Sequence, residues 1–94
     1  MGHQQESAEV VALQAVAWLA GNDVLLTLFL SATGAELEDL PSRIAEEGFL
    51  VAVMDFIMME DAWLIEFCDH SNLSYDTPER VRQMLPGGAR VHWT

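Results

Sequence analysis

Apolar residues recur along this chain at helical spacing, interrupted by residues that stop and start helices. Val10, Leu13, Val16, Ala17 and Ala20 fall three and four apart. That spacing predicts a first helix over about 7–20 with this set facing inward. Trp18, Val11 and Gln14 lie toward another side and form a second, partly apolar surface. Gly21, Asn22 and Asp23 then end one helix and begin the next, since Gly tolerates a C-terminal cap and Asn or Asp accepts from free amides. Leu25, Leu28, Phe29 and Ala32 share one face of a second helix, about 24–32, which Leu26 and Leu30 widen. Thr33-Gly34 closes it, and the acidic connector 35–39 leads to a short helix, about 40–46, with Pro41 in its first turn.

The second half reads similarly. Gly48 precedes 49–59, the most hydrophobic element, where Phe49, Val53, Phe56 and Ile57 share one side. Val51, Met58 and Met59 surround Asp55 on the other side. A helix apolar nearly all round is either central to the fold or covered on its second side by another chain. Glu60-Asp61 starts a helix over 62–70 that turns Trp63, Leu64, Phe67 and Cys68 inward, and Asn72 ends it. Thr77-Pro78-Glu79 opens a last short helix reaching Leu85, before Pro86-Gly87-Gly88. No segment alternates as a strand would.

The two halves align without a gap from Ala12–Gly34 to Leu50–Asn72, at a spacing of 38 residues. Leu13 pairs with Val51, Ala15 with Val53, Trp18 with Phe56, Leu19 with Ile57, Asp23 with Asp61 and Phe29 with Phe67. After one dropped residue, Pro41 pairs with Pro78 and Arg43 with Arg80. A period of this size marks stacked helical units. The expectation is an all-α fold: a compact bundle of five or six short helices in two similar packed units, about 10–45 and 48–83. One domain, 7–85, is expected between flexible segments at 1–6 and 86–94.

Composition sharpens the functional outlook. With 94 residues, 51% of them hydrophobic, the chain is apolar for a domain that buries only about 60–65% of its unfolded surface. An exposed apolar patch is therefore expected. Fifteen acidic residues oppose four arginines, for a net charge of −11. Such a surface repels phosphate backbones and anionic membranes, so neither nucleic acid nor a bilayer is expected as a direct partner. The run 49–59 is too short to span a bilayer. A single cysteine, and a start without Lys or Arg ahead of the first apolar run, make the cytoplasm the expected compartment.

Catalytic and metal-binding constellations are weak. Cys68 and His70, two apart on a helix, project about 200° from each other and cannot hold one ion or act as a nucleophile–base pair. The serines sit at helix ends, where hydroxyls cap. The acidic clusters lack calcium-loop spacing, and no glycine-rich phosphate loop or modifiable Asp-Ser-Leu is present. No cofactor, no metal and no enzymatic activity are expected.

What stands out is the face made by Val51, Asp55, Met58 and Met59. Methionines fill gaps in small cores or furnish adaptable surfaces. A carboxylate among them is either a lone solvated charge or a determinant in a contact, and a contact implies an arginine, for which Arg43, Arg80 and Arg82 are the candidates. Arg43 and Arg80 could equally tie the short helices to neighbouring acids. Near the C-terminus, Trp93 beside Arg90 and His92 has the character of a docking peptide or of a plain solvated tail.

The run LQAVAWLAGNDVLLTLFLSATG, followed by EGFLVAVMDFIMMEDAWLIEFCDHSNL, resembles a family of small alphaproteobacterial proteins of unknown function. The matching positions include Trp18, Asp23, Phe29, Thr33, Gly34, Gly48, Phe49, Asp55, Glu60 and Phe67, within residues 10–82. The resemblance implies an all-helical bacterial cytoplasmic protein and implies no activity or catalytic residues.

The leading expectation is a non-enzymatic interaction module. It would dimerise or bind a protein partner through an apolar face, with Val51, Asp55, Met58, Met59 and Trp93 as candidate contacts. The alternative is an acidic regulator that imitates phosphate toward a nucleic-acid-binding protein; an enzyme with an unrecognised site ranks third.

Overall fold

A computed structural model describes residues 2–46 and 48–85, with side chains from Ser7 onward. Six α-helices and no strand occur among the described residues. Helix α1 runs Gly2–Ala20, α2 Asp23–Thr33, α3 Leu40–Arg43, α4 Phe49–Met58, α5 Asp61–Ser71 and α6 Thr77–Met84, with a 3-10 turn at Leu37–Asp39. The first helix begins five residues before the expected Ser7, because Gln4, Gln5 and Glu6 favour helix and no stop signal precedes them. The third is shorter than the expected 40–46, turning at Ile44–Glu46 toward Gly48, whose φ of 91° is left-handed.

Chain punctuation works as its chemistry dictates. The Asn22 side chain accepts from the Leu25 amide at 3.1 Å, capping α2. Gly34, at φ 76°, and Asn72, at φ 58°, end α2 and α5 in the same left-handed conformation. Their amides donate to Leu30 and Cys68 carbonyls respectively. Proline sits in the first turn of both α3 and α6.

Helices α1, α4 and α6 pack mutually at the centre, while α2 lies on α1, and α5 on α4 and α1. Three ring contacts tie the units together, Phe29 with Phe49 and two more that the repeat relates. Phe29 of α2 meets Phe56 of α4 at 5.3 Å and 75°; Phe67 of α5 meets Trp18 of α1 at 5.7 Å and 60°. Under the 38-residue offset Phe29 corresponds to Phe67 and Trp18 to Phe56. The second contact is therefore the first with the units exchanged, as a pseudo-two-fold axis requires. Matched positions also share burial: Ala15 with Val53, Leu19 with Ile57, and Phe29 with Phe67 are all buried.

The inward side of α1 differs from expectation. Ala8, Ala12, Ala15 and Leu19 are buried, whereas Val10, Leu13, Ala17 and Ala20 are exposed and Val16 is half-buried. Alanines let the α1 backbone come close to α4 and α6, and a helix this uniformly apolar carries no polar stripe to reveal the choice. On α2 only Leu25 and Phe29 are buried; Leu28 and Ala32 face out. On α4 the expected inward set, Phe49, Val53, Phe56 and Ile57, is buried. No single described helix is long and apolar enough to cross a membrane.

Candidate interaction surface

The face of α4 that carries Val51, Asp55 and Met58 is occupied from within the chain. Helix α6 lies against α4, and Arg82 on α6 donates through Nε and a terminal nitrogen to the two carboxylate oxygens of Asp55, the second contact at 3.4 Å. Val51 and Met58 on this side are half-buried against the core, and Met54 is fully buried. The expected arginine partner of Asp55 exists, and it is Arg82. This side of α4 thus carries an internal ion pair with α6 while Asp55 stays exposed and Val51 and Met58 partly so. Met59, just past the helix end, remains 70% exposed. Trp93 lies outside the described residues.

The other two candidate arginines serve locally. Arg43 pairs with Glu46 at 3.6 Å and Arg80 with Asp76 at 3.8 Å, each binding a short helix to an adjacent acid. Ahead of α6, the Ser74 hydroxyl donates to Asp76 at 2.8 Å and meets the Thr77 hydroxyl at 2.9 Å. The Ser74 bond, and next the Arg80 charge, hold the Asp76 carboxyl below its ordinary range.

Cys68 and His70 do not share a site. The thiol is buried and donates weakly to the Ser74 carbonyl at 3.5 Å, while the imidazole is exposed. Burial, then Asp69 and Asp76, push the thiol upward, which keeps it protonated and unreactive. Among the described residues no three His, Cys, Asp or Glu side chains gather where an ion could be held.

Exposed large apolar side chains include Leu37, Met59, Ile65, Tyr75 and Met84, and four more share α1 and α2. Val10 is 54% and Leu13 44% exposed on α1, followed on the same side by Ala17 and Ala20. Val24, 69% exposed, and Leu28 add to it on α2, where they wall a shallow depression with Asp23 and Thr27. Between Val10 and Ala35 only Asp23 is charged, so this surface holds little of the chain's net charge of −11, and its α1 part, 10–20, holds none.

The repeat explains why it is bare. Under the 38-residue offset, Val51, Asp55 and Met58 correspond to Leu13, Ala17 and Ala20. One face, present twice, is partly screened in the second unit, where α6, eight residues long, reaches Asp55 through Arg82. Its counterpart α3 has four residues, and the chain beyond it runs beside Glu9, bordering an open groove of about 410 Å³ with Ile44, Glu46 and Leu50. Leu13, Ala17 and Ala20 stay exposed. The offset was readable in the sequence and could have located this surface, once α4 was known to engage α6.

The family model of a protein of unknown function, DUF3572, matches residues 5–88, and the chain belongs to that family. No curated protein and no solved structure matches the chain.

Proposed function

Starting from membership in a family whose description assigns no activity, we propose that this protein is a non-enzymatic interaction module. Its contact surface is the neutral outer side of α1, made by Val10, Leu13, Ala17 and Ala20 and extended by Val24 and Leu28 on α2. One observation carries the proposal: this side of α1 repeats the side of α4 that engages α6 through Asp55, yet Leu13, Ala17 and Ala20 on it are exposed. Large apolar side chains left in water at helical spacing favour a partner that removes them from it, by about 25 cal/mol for each Å² covered.

Site-specific photo-crosslinking in the native cell tests this. A photoreactive residue at Leu13 should yield a discrete protein adduct, and one at Glu66, on the outside of α5, should not. Equal labelling at both, or none at position 13, would contradict the proposed surface. Association through a neutral face also survives salt, whereas a phosphate-mimicking role for the acidic remainder requires steep weakening as salt rises.

A further inference from the structure

We infer that the partner on this surface is a second copy of the same chain, docked by antiparallel two-fold pairing of α1 with α1. The inference rests on the interaction surface proposed above and adds the identity of its occupant. Three observations point to self-pairing.

The first is charge. Two copies of net charge −11 repel each other wherever their acidic surfaces meet. Along α1 from Val10 to Ala20 no residue is charged, so the seam itself opposes no like charges, and the acids nearest it, Glu9 and Asp23, lie beyond its ends.

The second is shape. Val10, Leu13, Ala17 and Ala20 follow the 3–4–3 spacing of a helix-pairing seam, with two large residues followed by two small ones. A two-fold contact requires that if residue i meets j, then j meets i. With the axis at the level of Ala15, Val10 meets Ala20 of the second copy and Leu13 meets Ala17. Large faces small in all four resulting layers, so the seam complements itself.

The third comes from the repeat. The matching side of α4 engages a helix through Asp55, which pairs with the arginine of α6. At the matching position α1 carries Ala17, so the helix received there needs no cation. Another α1 satisfies that condition.

Sedimentation equilibrium on the purified full chain, at low and high salt, tests the inference. The expected result is a reversible equilibrium between 10.5 kDa and twice that mass, tightening as salt screens the repulsion between acidic copies. Ala17→Leu sets leucine against leucine and Leu13→Ala removes the large partner; each should weaken the dimer about tenfold. The double variant Leu13→Ala/Ala17→Leu exchanges large and small and should restore it to within about threefold. Both positions are exposed, so each variant should melt as the parent monomer does. A double variant as weak as the worse single one would overturn the antiparallel pairing. A chain monomeric at every concentration and salt, yet crosslinked through position 13 to a different protein, would overturn the second copy and keep the contact surface. No adduct at position 13 together with a monomeric chain would remove both.

Discussion

In the first unit Leu13, Ala17 and Ala20 are open to solvent, whereas on the matching face of the second unit Val51 and Met58 are half-buried and Asp55 pairs with Arg82 of α6. The helices that carry these faces are equivalent by sequence, and they meet each other at the centre of the fold. The difference arises from the segment that succeeds each helical pair. After α5 the chain builds an eight-residue helix, prefaced by the Ser74–Asp76–Thr77 cluster, that returns across α4. After α2 it builds a 3-10 turn and a helix of only four residues, then turns at Ile44. A repeat can thus satisfy its core twice and engage its outer side once, leaving one unit's apolar side exposed to solvent.

The largest test of that equivalence lies in the shared core. Phe29 and Phe67 are almost wholly buried and occupy exchanged positions. Phe29→Ala and Phe67→Ala should each cost about 3–5 kcal/mol in chemical denaturation. A cost at one position several-fold smaller than at the other would break the pseudo-symmetry.

A second comparison concerns the two left-handed caps. Gly34→Ala should destabilise by about 1 kcal/mol, from backbone conformation alone, because no neighbouring atom crowds the new Cβ. Asn72→Gly, at the matching position, should be neutral or stabilise by up to about 1 kcal/mol. Opposite signs at matched sites are expected; equal signs would mean that the caps are not equivalent.

The two outer faces should also respond differently to charge. Asp55→Asn weakens the partly exposed pair with Arg82, with a loss of up to about 1 kcal/mol that shrinks in high salt. Ala17→Asp writes the α4 residue into α1, and should leave monomer stability within about 0.5 kcal/mol while abolishing association. Thermal melts and sedimentation on the same samples separate these outcomes.

The smallest effects are pH-dependent. Asp76 is held below its ordinary range in the folded protein, so its contribution is complete above that range. It is lost as pH falls through the lowered folded value, and Ser74→Ala should flatten the acid limb of the melting curve. Cys68 runs the other way: its folded pKa is raised, so its contribution is complete at neutral pH and lost as pH rises through and beyond the thiol's usual 9.0. Alkylation of Cys68 at neutral pH should proceed only as fast as the protein opens.

Much of the fold was legible in the sequence. Helix order, the two-unit repeat, the inward side of α4, the prolines opening α3 and α6, and the paired caps at Gly34 and Asn72 all come from spacing and local backbone chemistry. So do the local roles of Arg43 and Arg80. The inward side of α1 was not legible. Val10 and Leu13 outweigh Ala8 and Ala12 on any hydrophobic scale, but close helix approach selected the alanines. The α4 face was recognisable as apolar with a carboxylate that in a contact implies an arginine; that α6 would supply Arg82 depends on tertiary placement that periodicity cannot convey.

The most direct test compares both faces in one sample. Methyl resonances of Val10, Leu13, Val51 and Met58 can be followed by NMR as the purified chain is diluted. Self-pairing through α1 predicts concentration-dependent shifts at Val10 and Leu13 and none at Val51 and Met58 on α4. Shifts at the α4 methyls with silence on α1, or silence at all four, would contradict it.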